Sequence, residues 1–363
     1  MSEAPLGQVR GWMASAGAGA AFVSDPVSIA YLTGFRAVPH ERLMALIVRE
    51  DEAVLVVPGL EEERAAAKAL GVRLRPWRDG TDPWVEVAPE LGQLAGALAV
   101  EKDHLRLAAW ERLEAISGAE LPLDVGRLIR QLRARKRPEE LAWLEEAARI
   151  TDAMAERGMA AAAPGRTELE VANDIVAVAA ESGAQLSFDT IVQSGPNSAQ
   201  PHLGPGGRRL EPGDLVLVDC GAAWNGYKAD ISRTVVLGRP ERRQEEAYDA
   251  VLRAHDAALA VLRPGVTAGE VDRAAREVIE SAGFGRYFIH RTGHGLGLEA
   301  HEDPSLDPGS SLALQAEMVV TIEPGVYIPG WGGIRLEDDA VLTDSGFRLL
   351  TSARRGLELG SGE

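Results

Sequence analysis

Short apolar runs alternate with longer amphipathic stretches through about the first 120 residues. Ala20 to Val23 predicts a strand, ended by Asp25-Pro26. Leu43 to Val48 and Ala53 to Val57 are apolar runs parted by Arg49-Glu50-Asp51-Glu52, the pattern of a hairpin. Glu61 to Leu70 predicts a helix that stops at Gly71, and Leu98 to Val100 a further short strand. These elements describe a small α/β domain. None of its strands leads into Gly-x-Gly-x-x-Gly, so a dinucleotide site is not indicated.

The pattern changes at Pro122 and the basic stretch Arg127 to Arg137, which reads as a linker or a solvated helix face. The boundary is therefore placed near residue 124, giving domains 1–124 and 125–363. Pro138-Glu139-Glu140 opens a long helical pattern. Beyond it lies an internal repeat: Pro164-Gly165-Arg166-Thr167 returns 100 residues later as Pro264-Gly265-Val266-Thr267. Both copies follow an Ala-rich helix. Both open a second helix through a capping box, Thr167 with Glu170 and Thr267 with Glu270. Helix, Pro-Gly turn, capped helix and then strands, twice over, predicts two related α/β halves.

Each half carries acidic residues after buried-strand signals. Leu215 to Val218 leads to Asp219, and Asn225-Gly226 is a strong two-residue hairpin turn, because both positions accept positive φ. That turn pairs Asp230 with Gly221, so Asp219 and Asp230 become diagonal neighbours on one face of the sheet. Met318 to Ile322 leads to Glu323, and Ile334 to Glu337 reads as a strand with Arg335 and Glu337 on one face. His294 sits between Gly293 and Gly295, where the backbone can come close to its neighbours. A carboxylate after a buried apolar run is unusual unless it is paired or coordinated. Four carboxylates and one imidazole, Asp219, Asp230, Glu323, Glu337 and His294, form a complete ligand set for two divalent metal ions. Without cations they repel: two like charges 4 Å apart cost about 4 kcal/mol at an effective dielectric of 20.

Composition narrows the classes. A chain of 363 residues with 45% hydrophobic content supports two domains with ordinary cores. Its net charge of −17 comes without a basic stripe, so no nucleic-acid partner is expected. No apolar run approaches the roughly 18 residues of a membrane span, and the N-terminus lacks a signal-peptide pattern, so no membrane partner is expected either. The single Cys220 excludes an intrachain disulfide and fits a reducing cytoplasm; after an apolar strand it reads as an inert buried thiol.

These motifs resemble those of the proline-specific metallopeptidases of the pita-bread fold, the Xaa-Pro aminopeptidases and Xaa-Pro dipeptidases (prolidases). Tyr31-Leu32-Thr33-Gly34-Phe35 looks like the creatinase-like N-terminal domain of that family. Val218-Asp219-Cys220-Gly221, Ala229 to Thr234, Gly293-His294-Gly295, Glu323-Pro324-Gly325 and Arg335-Leu336-Glu337-Asp338 look like its metal motifs. The resemblance covers nearly the whole chain. It implies an α/β (α+β) protein: a creatinase-like α/β domain, then a pita-bread catalytic domain with an internal pseudo-twofold repeat.

The resemblance also assigns roles. Asp219 would chelate one metal, His294 and Glu323 the other, with Asp230 and Glu337 bridging. His202 and His301 match histidines lining the substrate site, where either would stabilise the oxyanion, and Arg335 matches an arginine beside the last ligand that would also bind substrate. Glu323 would carry the proton for a hydroxide activated by the two metals, commonly manganese, with cobalt or zinc as substitutes. The partners implied are small peptides with proline in second position, and a homodimer is the family's habit.

A dipeptidase must bind a free proline carboxylate, for which arginine is the natural anchor. Prolidases often place one between the second histidine and Glu-Pro-Gly, whereas here Asp303 to Thr321 holds no Arg or Lys. The expected activity is thus that of an Xaa-Pro aminopeptidase, with Xaa-Pro dipeptidase as the alternative and Arg36 or Arg42 as other sources of a cation. More distant readings are a metal-free creatinase-like hydrolase, a methionine aminopeptidase and a non-catalytic binding module.

Overall fold

The computed structural model describes residues 5–92 and 94–358. The chain forms two compact units, Met1–Arg133 and Ala134–Glu363.

The first unit contains β1 (Ala18–Val23), β2 (Ala45–Val48), β3 (Ala53–Pro58), β4 (Arg73–Trp77), β5 (Ala97–Val100) and β6 (Leu123–Asp124) in one mixed sheet of order β4-β3-β2-β1-β5-β6. The central strands β2 and β3 are buried along their whole length, which is why they read as continuous apolar runs rather than alternating ones. Their core joins Phe22, Ile47, Val56, Leu98 and Val100 to Leu91 and Leu113 from the helices. The helices are α1 (Pro5–Ala16), α2 (Pro26–Thr33), α3 (Glu62–Lys68), α4 (Trp84–Leu91), α5 (Leu107–Ser117) and α6 (Gly126–Ala134). Asp25 caps α2 by accepting from Val27 N and Ser28 N, and Gly34 ends it at φ 77°. The sequence pattern misses β4, because its Arg-Leu-Arg-Pro-Trp run is neither apolar nor free of proline. As an edge strand it tolerates Pro76, and Arg73 and Arg75 both reach the buried Glu90, at 3.0 and 2.9 Å.

The unit boundary falls after Arg133, not near residue 124. The basic stretch is no solvated linker. Most of it is α6, whose Ile129 and Arg133 are buried, and Val125 N bonds to Val100 O at 3.0 Å, tying the helix start to β5. Lys136, just inside the second unit, is buried as well, beside Glu302 of the same unit at 3.4 Å. The charges that suggest a solvent-facing run are in part used inside the fold.

The second unit repeats one plan. Helices α7 (Pro138–Ala161) and α8 (Glu168–Glu181) back the first half, and α9 (Arg242–Val261) and α10 (Ala268–Ser281) the second. Both capping boxes form: Thr167 N and Thr267 N donate to Glu170 and Glu270 at 2.7 and 2.8 Å, and the glutamate amides donate back. Even the flanking bonds repeat, with Gly165 N to Leu210 O and Gly265 N to Leu314 O both at 2.8 Å. Each half has its own apolar core, around Ile175, Val218 and Val235 in one and Val271, Ile279 and Val320 in the other. Burying one such side chain contributes about 1.5–3 kcal/mol.

The strands of the first half are β7 (Gln185–Leu186), β8 (Ile191–Ser194), β9 (Leu215–Cys220), β10 (Ala222–Trp224), β11 (Tyr227–Lys228) and β12 (Ile231–Val236). Those of the second are β13 (Gly293–Gly295), β14 (Glu302–Leu306), β15 (Val319–Ile322), β16 (Gly325–Ile328), β17 (Gly332–Arg335), β18 (Asp338–Leu342) and β19 (Phe347–Leu349). Asn225 and Gly226 take positive φ, and the hairpin register they set runs on unbroken from Trp224↔Tyr227 to Ser232↔Asp219. One expectation changes. Ile334 to Glu337 is not one strand: β17 ends at Arg335, and β18 begins at Asp338 in a different sheet. In the first half the chain breaks likewise between β9 and β10 at Gly221. Among the described residues, no helix is long and apolar enough to cross a membrane.

Candidate metal centre

The carboxylates stand at these breaks, where strands leave one sheet for another. Asp219 is the penultimate residue of β9, and Asp230 immediately precedes β12. Gly221 lies between the two sheets because nothing larger fits: a Cβ there would be 2.0 Å from Ala229 O. Across the halves, Glu337 N donates to Ser232 O at 3.1 Å, Ser232 Oγ to Glu337 Oε2 at 2.7 Å, and Asp230 N to Asp339 Oδ2 at 2.9 Å. Both halves therefore hold Asp230 and Glu337 in place.

His294 is central in β13, between glycines that the packing requires. A Cβ on Gly293 would meet Thr321 O at 2.0 Å, and one on Gly295 would meet Asp303 O at 2.1 Å. The glycines admit neighbouring backbone. Thr321 Oγ1 accepts from His294 N at 3.1 Å. Upstream, the buried Asp272 of α10 accepts from Thr292 N and Oγ1, and Arg276 donates to Phe288 O and His290 O.

Three of the five expected ligands form one group: ligand atoms of Asp230, His294 and Glu337 lie within 4.8 Å of one another. Glu323 Oε1 stands 3.2 Å from His294 Nε2. Asp219 is engaged by the guanidinium of Arg335, whose Nε and Nη1 bond Ser232 Oγ at 2.8 Å and Tyr327 OH at 2.7 Å. All five ligands line one cavity of about 890 Å³, together with His202, His290, Arg291, His301 and Arg335. His301 stacks edge-on against His294 with ring centres 4.3 Å apart. His202 sits in a turn whose flanks, Gln200 O and Leu203 O, both accept from Gln193 Nε2. Arg335, expected beside the substrate, thus has all three guanidinium nitrogens engaged by the protein.

The electrostatics suit cations. Burial pushes Asp219 above the usual carboxylate range, and burial together with neighbouring carboxylates pushes Asp230 and Glu337 well above it. Glu323 goes the other way, to about 2: burial opposes its charge, but His294, His290 and Arg335 outweigh that penalty. Asp219 Oδ1 and Asp230 Oδ1 are buried without a hydrogen-bond partner. Buried carboxylate oxygens without donors, beside an imidazole nitrogen, are the donor set a divalent cation satisfies. The residues present fit a metal centre.

Two cavity residues, His290 and Arg291, escape the sequence reading, as does Tyr327, which bonds His290 and Arg335. His290 Nε2 stands 3.0 Å from Tyr327 OH, and burial lowers its pKa. Tyr327 is pushed up to about 12 by burial. Arg291 Nη1 donates to Ser305 Oγ at 3.0 Å. The available signal was adjacency: Ile289-His290-Arg291-Thr292 runs directly into Gly293-His294.

Residues 142–344 match the metallopeptidase family M24, and residues 5–135 match the creatinase/prolidase N-terminal domain. The chain belongs to metallopeptidase family M24. It is 38% identical over 361 residues to the Xaa-Pro dipeptidase of Lactobacillus helveticus, covering 98% of each chain. Among solved structures, the prolidase from Pyrococcus horikoshii OT3 superposes with a TM-score of 0.91 at 33% identity, over 97% of this chain and 99% of that one. The X-Pro aminopeptidase from Thermotoga maritima is similar at a TM-score of 0.84 and 29% identity, covering 94% of this chain and 97% of that one. The metallopeptidase reading, the pita-bread architecture and the N-terminal domain expected from the sequence all hold; the metal-free, methionine-specific and non-catalytic readings find no support in these matches.

Proposed function

We propose that this M24 metallopeptidase is an Xaa-Pro dipeptidase, which replaces the aminopeptidase expectation. The observation that carries the reading is Arg291. The expectation rested on the absence of a cation from Asp303 to Thr321, and that segment does lack one. Yet Arg291 enters the same cavity from the loop that leads into β13 and bonds Ser305, inside that segment. Its guanidinium offers the planar, charged donor set that a free proline carboxylate needs. The relatives named Xaa-Pro dipeptidase and prolidase, at 38% and 33% identity, support the same choice over the aminopeptidase at 29%.

Two divalent ions, with manganese the first candidate, would be held by Asp219, Asp230, His294, Glu323 and Glu337. Bound there, they supply Lewis acidity and lower the pKa of coordinated water. The chain's own groups do the rest. Glu323, the carboxylate kept ionised beside His294, accepts a proton and returns it to the leaving prolyl nitrogen. His202 and His301 face the scissile carbonyl from the cavity wall. Arg335 fixes Asp219 rather than substrate. Cleavage of Xaa-Pro dipeptides and Xaa-Pro-Xaa tripeptides, assayed side by side, tests the reading: the dipeptide is expected to be preferred. A clear preference for the tripeptide returns the aminopeptidase reading.

A further inference from the structure

The match to the M24 family ends at residue 344, but the chain runs on beneath the metal centre. Residues 351–355 form a strap pinned to α7. Asp152 accepts from Ser352 N at 2.8 Å, Ser352 Oγ at 2.7 Å and Ala353 N at 2.8 Å, and Glu156 accepts from Arg354 N at 2.8 Å. From this anchorage the strap reaches two fully buried aspartates, Asp338 and Asp339. Thr351 Oγ1 donates to Asp338 Oδ1 at 2.8 Å and accepts from Asp339 N at 3.0 Å. Arg355 Nη2 pairs with Asp338 Oδ2 at 2.6 Å, and His255 Nε2 stands 3.1 Å from the same oxygen.

Neither aspartate faces the cavity, and each governs a residue that does. Asp338 follows Glu337 directly, and Arg233 joins them by donating to Glu337 O at 2.6 Å and to Asp338 Oδ1 at 2.8 Å. Arg233 also donates to Ala353 O of the strap at 2.7 Å. Asp339 Oδ2 accepts from Asp230 N at 2.9 Å. Two of the three grouped ligand positions, Asp230 and Glu337, thus have their backbones fixed by groups that the strap holds.

We propose that the strap of residues 351–355 is a positioning element of the metal centre, with Arg355 and Thr351 setting Glu337 and Asp230 through Asp338 and Asp339. This rests on the metal reading given above. A purely structural strap would contribute to folding alone. A positioning strap also sets how well the carboxylates receive a cation, and outer groups of this kind typically change metal affinity 10–100-fold. Arg355 is the residue to test. Asp338 keeps Arg233, Thr351 and His255 without it, so the fold has other support.

The experiment is a calorimetric Mn²⁺ titration of the full chain, with thermal unfolding of the metal-free protein alongside. Arg355→Ala is expected to weaken Mn²⁺ binding about tenfold or more, with partial recovery in Arg355→Lys. Arg253→Ala removes an exposed pair with Asp249 on α9 and is expected to bind as the parent does. Should Arg355→Ala not fold, Arg355→Gln carries the same comparison. Binding within threefold of the parent in the folded variant overturns the proposal, whatever the change in metal-free unfolding. A parent chain that takes up neither Mn²⁺ nor Co²⁺ overturns the metal reading itself, and the proposal with it.

Discussion

Arg291 donates through Nη1 to Ser305 Oγ across 3.0 Å, linking the segment before His294 to β14 at the wall of the cavity. A charge-assisted hydrogen bond contributes about 1.5–3 kcal/mol, and 1.4 kcal/mol is tenfold in binding. Arg291→Met is therefore expected to raise KM for an Xaa-Pro dipeptide by about 10–100-fold. The tripeptide, whose carboxylate lies one residue further on, should lose less. Equal losses on the two substrates would show that Arg291 does not read the proline carboxylate.

Glu323 contacts His294 and is the carboxylate kept ionised in the cavity. Replacing it with Gln preserves the size of the side chain and removes the proton acceptor. General acid–base groups contribute about 10²–10⁴-fold. Glu323→Gln is expected to lower kcat by that order, with little change in unfolding temperature. Near-normal turnover would reject the assignment.

Acid should weaken metal binding. In the metal-free chain, burial and like charges raise the pKa of Asp230 and Glu337 well above the carboxylate range. A raised pKa means that these groups still hold protons at pH values where ordinary carboxylates have lost them. A cation must displace those protons, so affinity falls as pH falls. Mn²⁺ titrations at pH 6 and pH 8 are expected to show the weaker binding at pH 6, with proton release on binding. An affinity independent of pH over that range would contradict the raised pKa values.

Gly295 is required by its surroundings. A Cβ there would lie 2.1 Å from Asp303 O and 2.5 Å from Asp303 C, both backbone atoms that cannot swing aside. Overpacking of this kind costs about 1–3 kcal/mol. Gly295→Ala is expected to lower the unfolding temperature by several degrees and to weaken metal binding by displacing His294. Unchanged unfolding with full metal uptake would show that the two strands can part freely.

Much of the candidate site is legible in the chain because its geometry is set locally. Asn225-Gly226 dictates a two-residue turn, and that turn places Asp230 opposite Gly221 with no knowledge of the rest of the fold. Thr167 with Glu170 and Thr267 with Glu270 announce the repeat for the same reason, since a capping box closes within four residues. Arg291 does not read as the anchor in the sequence, because it precedes His294 and lies outside the segment after His301. The cavity gathers by distance, and the bond to Ser305 spans the loop between β13 and β14. The basic stretch misled for a related reason: a charge count cannot say that Arg133 and Lys136 are buried.

By itself the sequence determined the α/β plan, the repeat, the hairpin register and the candidate ligand set, because turn chemistry, capping and apolar runs act over a few residues. Only the tertiary structure decided that Ile334 to Leu342 splits into β17 and β18 around Glu337. Nothing in that run is a breaker. The change comes from partners a hundred residues away, where Thr234 Oγ1 accepts from Arg335 N and Ser232 O from Glu337 N. The same holds for the work of Arg335 and the reach of the strap at 351–355. A guanidinium in the chain carries a charge and five donors, and the fold alone selects which carboxylate it meets.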